Sequence, residues 1–415
     1  MLFDLPAELA EHIVQQLSSQ RDLLRLGSAC KQARAACKPH IFFDMRVQVC
    51  RESQHDRNIS ILKSLSRGKT DIAKFVHNFC DLECSGGYKS PDVDIIVRAL
   101  AKLPHLSSLS LDFGHGPFLL VPPYLTRSSL SQFKNLRSMK VRGQASSYET
   151  VLGPLLANNP ELTHLTIVGG QSALVTSLSE IQARYDIHDI PITSILIGCS
   201  LDATIAQFLP LLRHLRITEF KDAVIPADFW MALTHKGITL ITLLADITTD
   251  ALMAYLESYS GLEVVSLSPV NDHHAEAFYR RVLLHHCYSL RKLSIQIRSC
   301  MGRWCIRLQA LSRCMKLVEL NVPIYIINHP TVVYLQNILT LLPNLRKLYL
   351  RGPKPNEVYT SLCLQRAISH FRSDRLPDLE VSTDLWVYRT KKEDDVYVLR
   401  CVGTWDATRL PRRLW

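Results

Sequence analysis

The chain has no continuous apolar stretch approaching the roughly 20 residues that span a bilayer. Its opening residues, MLFDLPAELAEHIVQQL, carry acids where a secretory leader needs a basic start and an unbroken apolar core. The sequence therefore predicts neither membrane insertion nor secretion. Glycine is modest at 16 of 415 residues, and no low-complexity tract stands out. The 12 cysteines are scattered and contain no CxxC pair, which argues against a disulfide framework and for reduced thiols in the cytosol or nucleus.

Dense charge is also missing. The net charge is +10, yet the densest basic cluster is the short tail Arg409, Arg412, Arg413. That thin spread points away from a dedicated nucleic-acid binder. Catalytic motifs are missing too: there is no HExxH and no GxSxG. Gly68-Lys69-Thr70 ends like a phosphate-binding loop, but Lys63 stands where the first glycine is required. His273, His274, His285, His286, Cys287, Cys300, Cys305 and Cys314 lie close in sequence without zinc-ligand spacing. The expectation is no enzyme, no metal and no cofactor.

What the chain does have is apolar residues, 47% of the total, and they recur in a pattern. The pattern is apolar, two variable, apolar, one variable, apolar. It begins at Leu106, Leu136, Leu162, Ile192, Leu212, Ile238, Leu262, Leu290, Leu317 and Leu345. Those ten starts are 30, 26, 30, 20, 26, 24, 28, 27 and 28 residues apart. Apolar residues at spacing two share one face of a short strand. Between the copies lie stretches with helical spacing, including 149–157, 202–209, 250–258, 271–286, 331–341 and 357–371. A strand–helix unit cannot hide its apolar side alone, so neighbours must stack.

These copies resemble leucine-rich repeats, whose period is roughly 20–29 residues. The resemblance implies an α/β fold: a curved solenoid with a parallel sheet inside and helices outside, over residues 103–385. One departure is clear. The family places Asn or Cys three residues after the last apolar position, where this chain has Gly114, Gln144, Gly170, Ser200, Phe220, Asp246, Val270, Arg298, Tyr325 and Pro353. The usual side-chain ladder to the turn backbone is absent from the pattern. Capping is expected at both ends. Residues 46–102 read as a linker and an irregular capping repeat, with a strand near 75–82. Residues 386–415 read as a capping hairpin and basic tail, with strands 384–389 and 396–402 around a turn at 390–395.

Residues 1–45 differ. Asp4 and Pro6 suit a helix start, and Leu9, Ile13 and Leu17 form a stripe at helical spacing. Two more helices follow, 21–26 and 28–38, the last ended by Pro39. The segment LPAELAEHIVQQL, then RDLLRLGSACKQARAACKPHIF, resembles the F-box motif, with Ala33 where the family often has Trp. The arrangement is similar to F-box/leucine-rich-repeat proteins of fungal type. The resemblance implies docking on the Skp adaptor, and through it a cullin, by Leu5, Pro6, Leu9, Ile13, Leu17, Leu23, Leu26 and Cys30. The repeats would then hold a substrate protein for ubiquitination. The alternatives are that 1–45 merely caps the solenoid, or that the chain is a scaffold or sensor uncoupled from ubiquitin. On the concave face, the pattern points to His214, Arg216, Lys347, Tyr349 and Arg351 as substrate contacts, on a surface with basic ends and an apolar middle.

Overall fold

The computed structural model describes residues 7–17, 19–47, 52–80, 90–112, 133–142, 146–168, 192–198, 210–217, 225–297, 308–323, 341–351, 378–383, 386–393 and 396–404. Each of the ten sequence copies holds a strand. The chain divides into two compact units, residues 1–211 with 220–225, and 212–219 with 226–415.

In the first unit the strands are β1 (Asp44–Arg46), β2 (Asn78–Cys80), β3 (Ser108–Asp112), β4 (Ser138–Arg142), β5 (His164–Val168) and β6 (Ser194–Gly198). They pair in parallel and in chain order. The register sets Phe79, Leu109, Met139, Leu165 and Ile195 in one row, and all five are buried. Burying each such side chain is worth about 1.5–3 kcal/mol.

The second unit repeats the design. Its strands are β7 (His214–Ile217), β8 (Thr242–Ala245), β9 (Val264–Val270), β10 (Lys292–Ile297), β11 (Glu319–Pro323), β12 (Lys347–Arg351) and β13 (Glu380–Thr383), all parallel. The buried row is Leu215, Leu243, Val265, Leu293, Leu320, Leu348 and Val381. Two antiparallel strands then close the sheet, β14 (Trp386–Glu393) and β15 (Val396–Thr404). The expected turn at 390–395 is shorter than the sequence suggested. Thr390–Glu393 continue β14, and the Thr390 amide donates to the Leu379 carbonyl at 3.0 Å.

The missing turn ladder is replaced by polar side chains elsewhere. Asn159, at the end of the helix Ser146–Asn158, is buried among backbone groups. It accepts from the Leu136 amide at 2.8 Å and donates to the carbonyls of Phe133 at 3.0 Å and Leu155 at 2.7 Å. His286 does the same job two repeats into the second unit. It accepts from the Leu262 amide at 3.2 Å, and its other ring nitrogen meets the Leu256 carbonyl at 2.9 Å. Leu136 and Leu262 each begin a sequence copy. The first unit also has a lighter hydroxyl ladder, Ser107 to His77, Thr163 to Arg137 and Thr193 to Thr163, each hydroxyl donating to a carbonyl.

Helix ends follow the glycines. Gly237, at φ 63°, ends the helix Ala227–His235. Its amide donates to Thr234 and the next amide, of Ile238, to Leu233, both at 3.0 Å. This left-handed cap turns the chain so that Ile238 enters the core. Gly68 caps the helix Glu52–Ser66 in the same way, its amide donating to Leu65 and that of Lys69 to Ser64. Thr70 then caps the next turn by accepting from the Ile72 amide. The Gly-Lys-Thr tripeptide is thus a helix stop and restart.

The N-terminal module has three helices, α1 (Ala7–Gln16), α2 (Gln20–Ala29) and α3 (Lys31–Phe43). Val14, Leu23 and Cys37 form its core, with Leu17, Leu26, Ala36 and Ile41 packed around it. Two expectations need correction. Pro39 does not end the last helix, because α3 runs on to Phe43. Ile41 anchors the extension in the core, and the Gln20 amide group donates to its carbonyl at 3.4 Å. The inward stripe of α1 is Ala10, Val14 and Leu17 rather than Leu9, Ile13 and Leu17.

Candidate functional site

Small helical modules have little core, and here two large apolar side chains stand outside it. Leu9 is 52% exposed and Leu24 is 53% exposed. Leu24 lies in the F-box-like segment but was not among the docking residues that the resemblance implies. Its neighbour Leu23 was, but Leu23 is buried and holds α2 on the module core. Ile13, Leu17 and Leu26 are half-buried. Cys30 is exposed, and its sulfur accepts from the Ala33 amide at 3.3 Å, capping α3. Leu5 and Pro6 lie outside the described residues.

The second candidate surface is the open face of the sheet in the second unit. Alternation along each strand turns one set of residues away from the core. Register aligns the first such set as His214, Thr242, Val264, Lys292, Glu319, Lys347, Glu380 and Arg389. The second set is Arg216, Leu244, Ser266, Ser294, Asn321, Tyr349 and Ser382, the last of them buried.

The expected substrate residues therefore fall in two groups. His214 and Arg216 share β7, while Lys347, Tyr349 and Arg351 share β12, with four strands between them. At about 4.8 Å per strand the groups stand roughly 24 Å apart. Arg216 lies on the strand next to Leu244, and its guanidinium is pulled below the usual range by burial, with Asp246 opposing.

The expected basic end at β12 needs correction. Glu319 lies between two lysines, 3.1 Å from Lys292 and 3.5 Å from Lys347. Arg389 meets Glu380 at 2.9 Å on the next pair of strands. Charges alternate across β10 to β14 and largely cancel. The acids come from the ninth copy and from β13, a strand the repeat pattern does not mark. Tyr349 sits beside this row. Its hydroxyl is pushed up to about 12, by burial first and then by Glu319 and Glu380.

Among the described residues that invited a zinc reading, His286 and His274 have other partners. His286 is buried, and burial lowers its pKa to about 4. Cys314 is buried beside Cys287 and is pushed up to about 12, by burial first. His274 meets Thr248 at 3.3 Å and Asp250 at 3.1 Å. Cys300 and Cys305 lie outside the described residues.

The register, the one-sided burial and the repeat-to-repeat backbone bonds decide the architecture. Each unit is a stack of leucine-rich-repeat-like elements. No family model matches the sequence, and no curated protein matches it. Solved structures do show a likeness. A chain in the crystal structure of the Rad7 and Elc1 complex in yeast is 16% identical, with a TM-score of 0.41, covering 84% of this chain and 90% of that one. The leucine-rich repeat-containing protein LegL7 from Legionella pneumophila is 14% identical, with a TM-score of 0.41, covering 80% of this chain and 100% of that one. Among the described residues, no helix is long and apolar enough to cross a membrane.

Proposed function

We propose that this protein is a substrate-recognition adaptor of a cullin-based ubiquitin ligase. In this reading α1 to α3 form an F-box that docks on a Skp-type adaptor, and the repeats hold a substrate protein. The observation that carries it is that Leu9 on α1 and Leu24 on α2 are each exposed on a module whose core is already filled by Val14, Leu23 and Cys37. Leu5 and Pro6 belong to the same docking motif by resemblance, together with Ile13, Leu17, Leu26 and Cys30. Adaptor work of this kind needs no catalytic residue and no cofactor, and it takes place in the cytoplasm or nucleus.

The substrate face in this reading is the open side of the second unit. Recognition falls on the second row, where Arg216 and Leu244 lie at one end and Tyr349 at the other. Arg and Tyr are residue types that concentrate binding energy. Between them stand the short polar residues Ser266, Ser294 and Asn321, which leave room for a partner's side chains. The rival reading is a repeat scaffold or sensor with no link to ubiquitin. Affinity purification of the intact chain from its own cells, with mass spectrometry of what accompanies it, separates the two. Skp adaptor and cullin should co-purify. Their absence, beside other reproducible partners, favours the scaffold.

A further inference from the structure

We propose that the rim of the first unit, at the N-terminal ends of β1 to β4, binds single-stranded nucleic acid. A solenoid places one residue of each repeat side by side, so a basic strip can form from residues about 30 positions apart. Counted back from the paired strand residues, Lys74 and Lys134 each stand four positions before β2 and β4. One strand, β3, lies between β2 and β4, which sets those two strands about 10 Å apart. Lys102 precedes β3 on the same rim, and Arg137 immediately precedes β4. All four cations are exposed, and none has an ion-pair partner among the described residues. Lys38 differs, being held by Asp71 at 3.5 Å and lying over the Phe75 ring.

Flat rings share this rim. Phe43, His77 and His105 form a stack, with centroids 4.8 and 5.5 Å apart and planes 22° and 16° from parallel. Phe43 is 44% exposed and His105 is exposed. In the next repeat the position of His105 is taken by Asn135, so no ring continues the stack. A nucleobase is the flat group that extends such a stack, and its phosphates suit lysines at this spacing. An acidic peptide would use the lysines but would gain nothing from the rings. The observations therefore favour nucleic acid over an acidic protein segment. The overall charge of +10 works in the same direction at long range.

The test is fluorescence anisotropy of the intact chain with a labelled 15-nucleotide poly(U) RNA, repeated with labelled poly-glutamate. Poly(U) binding should weaken as salt rises, with a log–log slope of about −3 for four phosphate contacts. Neutralising Lys74, Lys102 and Lys134 to Gln should flatten that slope by about 2. His105→Ala should weaken poly(U) binding at least about fivefold and leave the slope alone. Poly-glutamate should bind more weakly and ignore His105→Ala. All these side chains are exposed, so the variants should keep the wild-type thermal transition, and His105→Leu supplies a second, non-cavity change. The proposal is overturned if poly(U) does not bind at low salt. It is also overturned if the lysine changes leave the slope intact, if folded His105 variants bind poly(U) normally, or if poly-glutamate binds as tightly.

Discussion

The imidazole of His286 accepts a hydrogen bond from the Leu262 amide, one repeat upstream, at 3.2 Å. Its other nitrogen donates to the Leu256 carbonyl. The first bond requires a neutral ring, since a protonated imidazole has no acceptor, whereas the second survives protonation. The folded pKa is about 4 against 6.5 when unfolded. Lowering a histidine pKa on folding favours the neutral form, so this contribution is complete above pH 6.5 and fades as pH falls toward 4. The difference is on the order of 3 kcal/mol. Urea unfolding followed between pH 7.5 and 4.5 should show that loss. His286→Ala should lower stability at pH 7.5 by about 2–4 kcal/mol and blunt the pH dependence in this window.

Asn159 has the equivalent place in the first unit, with three backbone bonds and almost no exposure. Asn159→Ala leaves an amide and two carbonyls unsatisfied in the interior. A loss of about 2–4 kcal/mol is expected. Hydrogen exchange at the Leu136 amide should quicken more than exchange in the second unit.

The charge row on the second unit gives a spectroscopic prediction. Glu319→Gln removes one carboxylate near Tyr349 and leaves Lys292 facing Lys347. The Tyr349 hydroxyl should then titrate below about 12 yet stay above an ordinary tyrosine, because burial is the larger cause. Alkaline titration of tyrosinate absorbance, with Tyr349→Phe as the blank, reads the shift. The lysines are about half exposed, so overall stability should change by less than about 1 kcal/mol.

Inside the helical module, neighbouring leucines should behave in opposite ways. Leu23→Ala, in the core, should cost about 2–4 kcal/mol. Leu24→Asp, at an exposed site, should cost less than about 0.5 kcal/mol. Thermal melts of the two variants make the comparison directly.

Periodicity made the repeats legible, because Leu-x-x-Leu-x-Leu reports one buried strand face whatever the loops contain. β13 escaped for a local reason. By register, Asp378 and Thr383 occupy the positions where other copies have apolar residues, and Leu379 fills the core from a shifted position. β1 escaped because Asp44, Met45 and Arg46 contain a single apolar residue. The replacement ladder was invisible because Asn159 and His286 differ in type and lie at the helix ends, away from the turn position of the family pattern. The basic rim was invisible because its residues are neighbours only after stacking. In the helical module, Leu9, Ile13 and Leu17 fit one helical stripe as well as Ala10, Val14 and Leu17 do. Only packing against α3 chose between them. The helical stretches expected at 202–209 and 357–371, and 331–341 but for its last residue, lie outside the described residues.

Direct binding of the purified chain to purified Skp adaptor tests the central proposal most sharply. The account predicts a one-to-one complex of sub-micromolar affinity. It predicts that Leu9→Asp with Leu24→Asp lowers this affinity at least about a hundredfold while the thermal transition stays in place. A folded wild-type chain that does not bind the adaptor, or a double variant that binds as well as wild type, would contradict it.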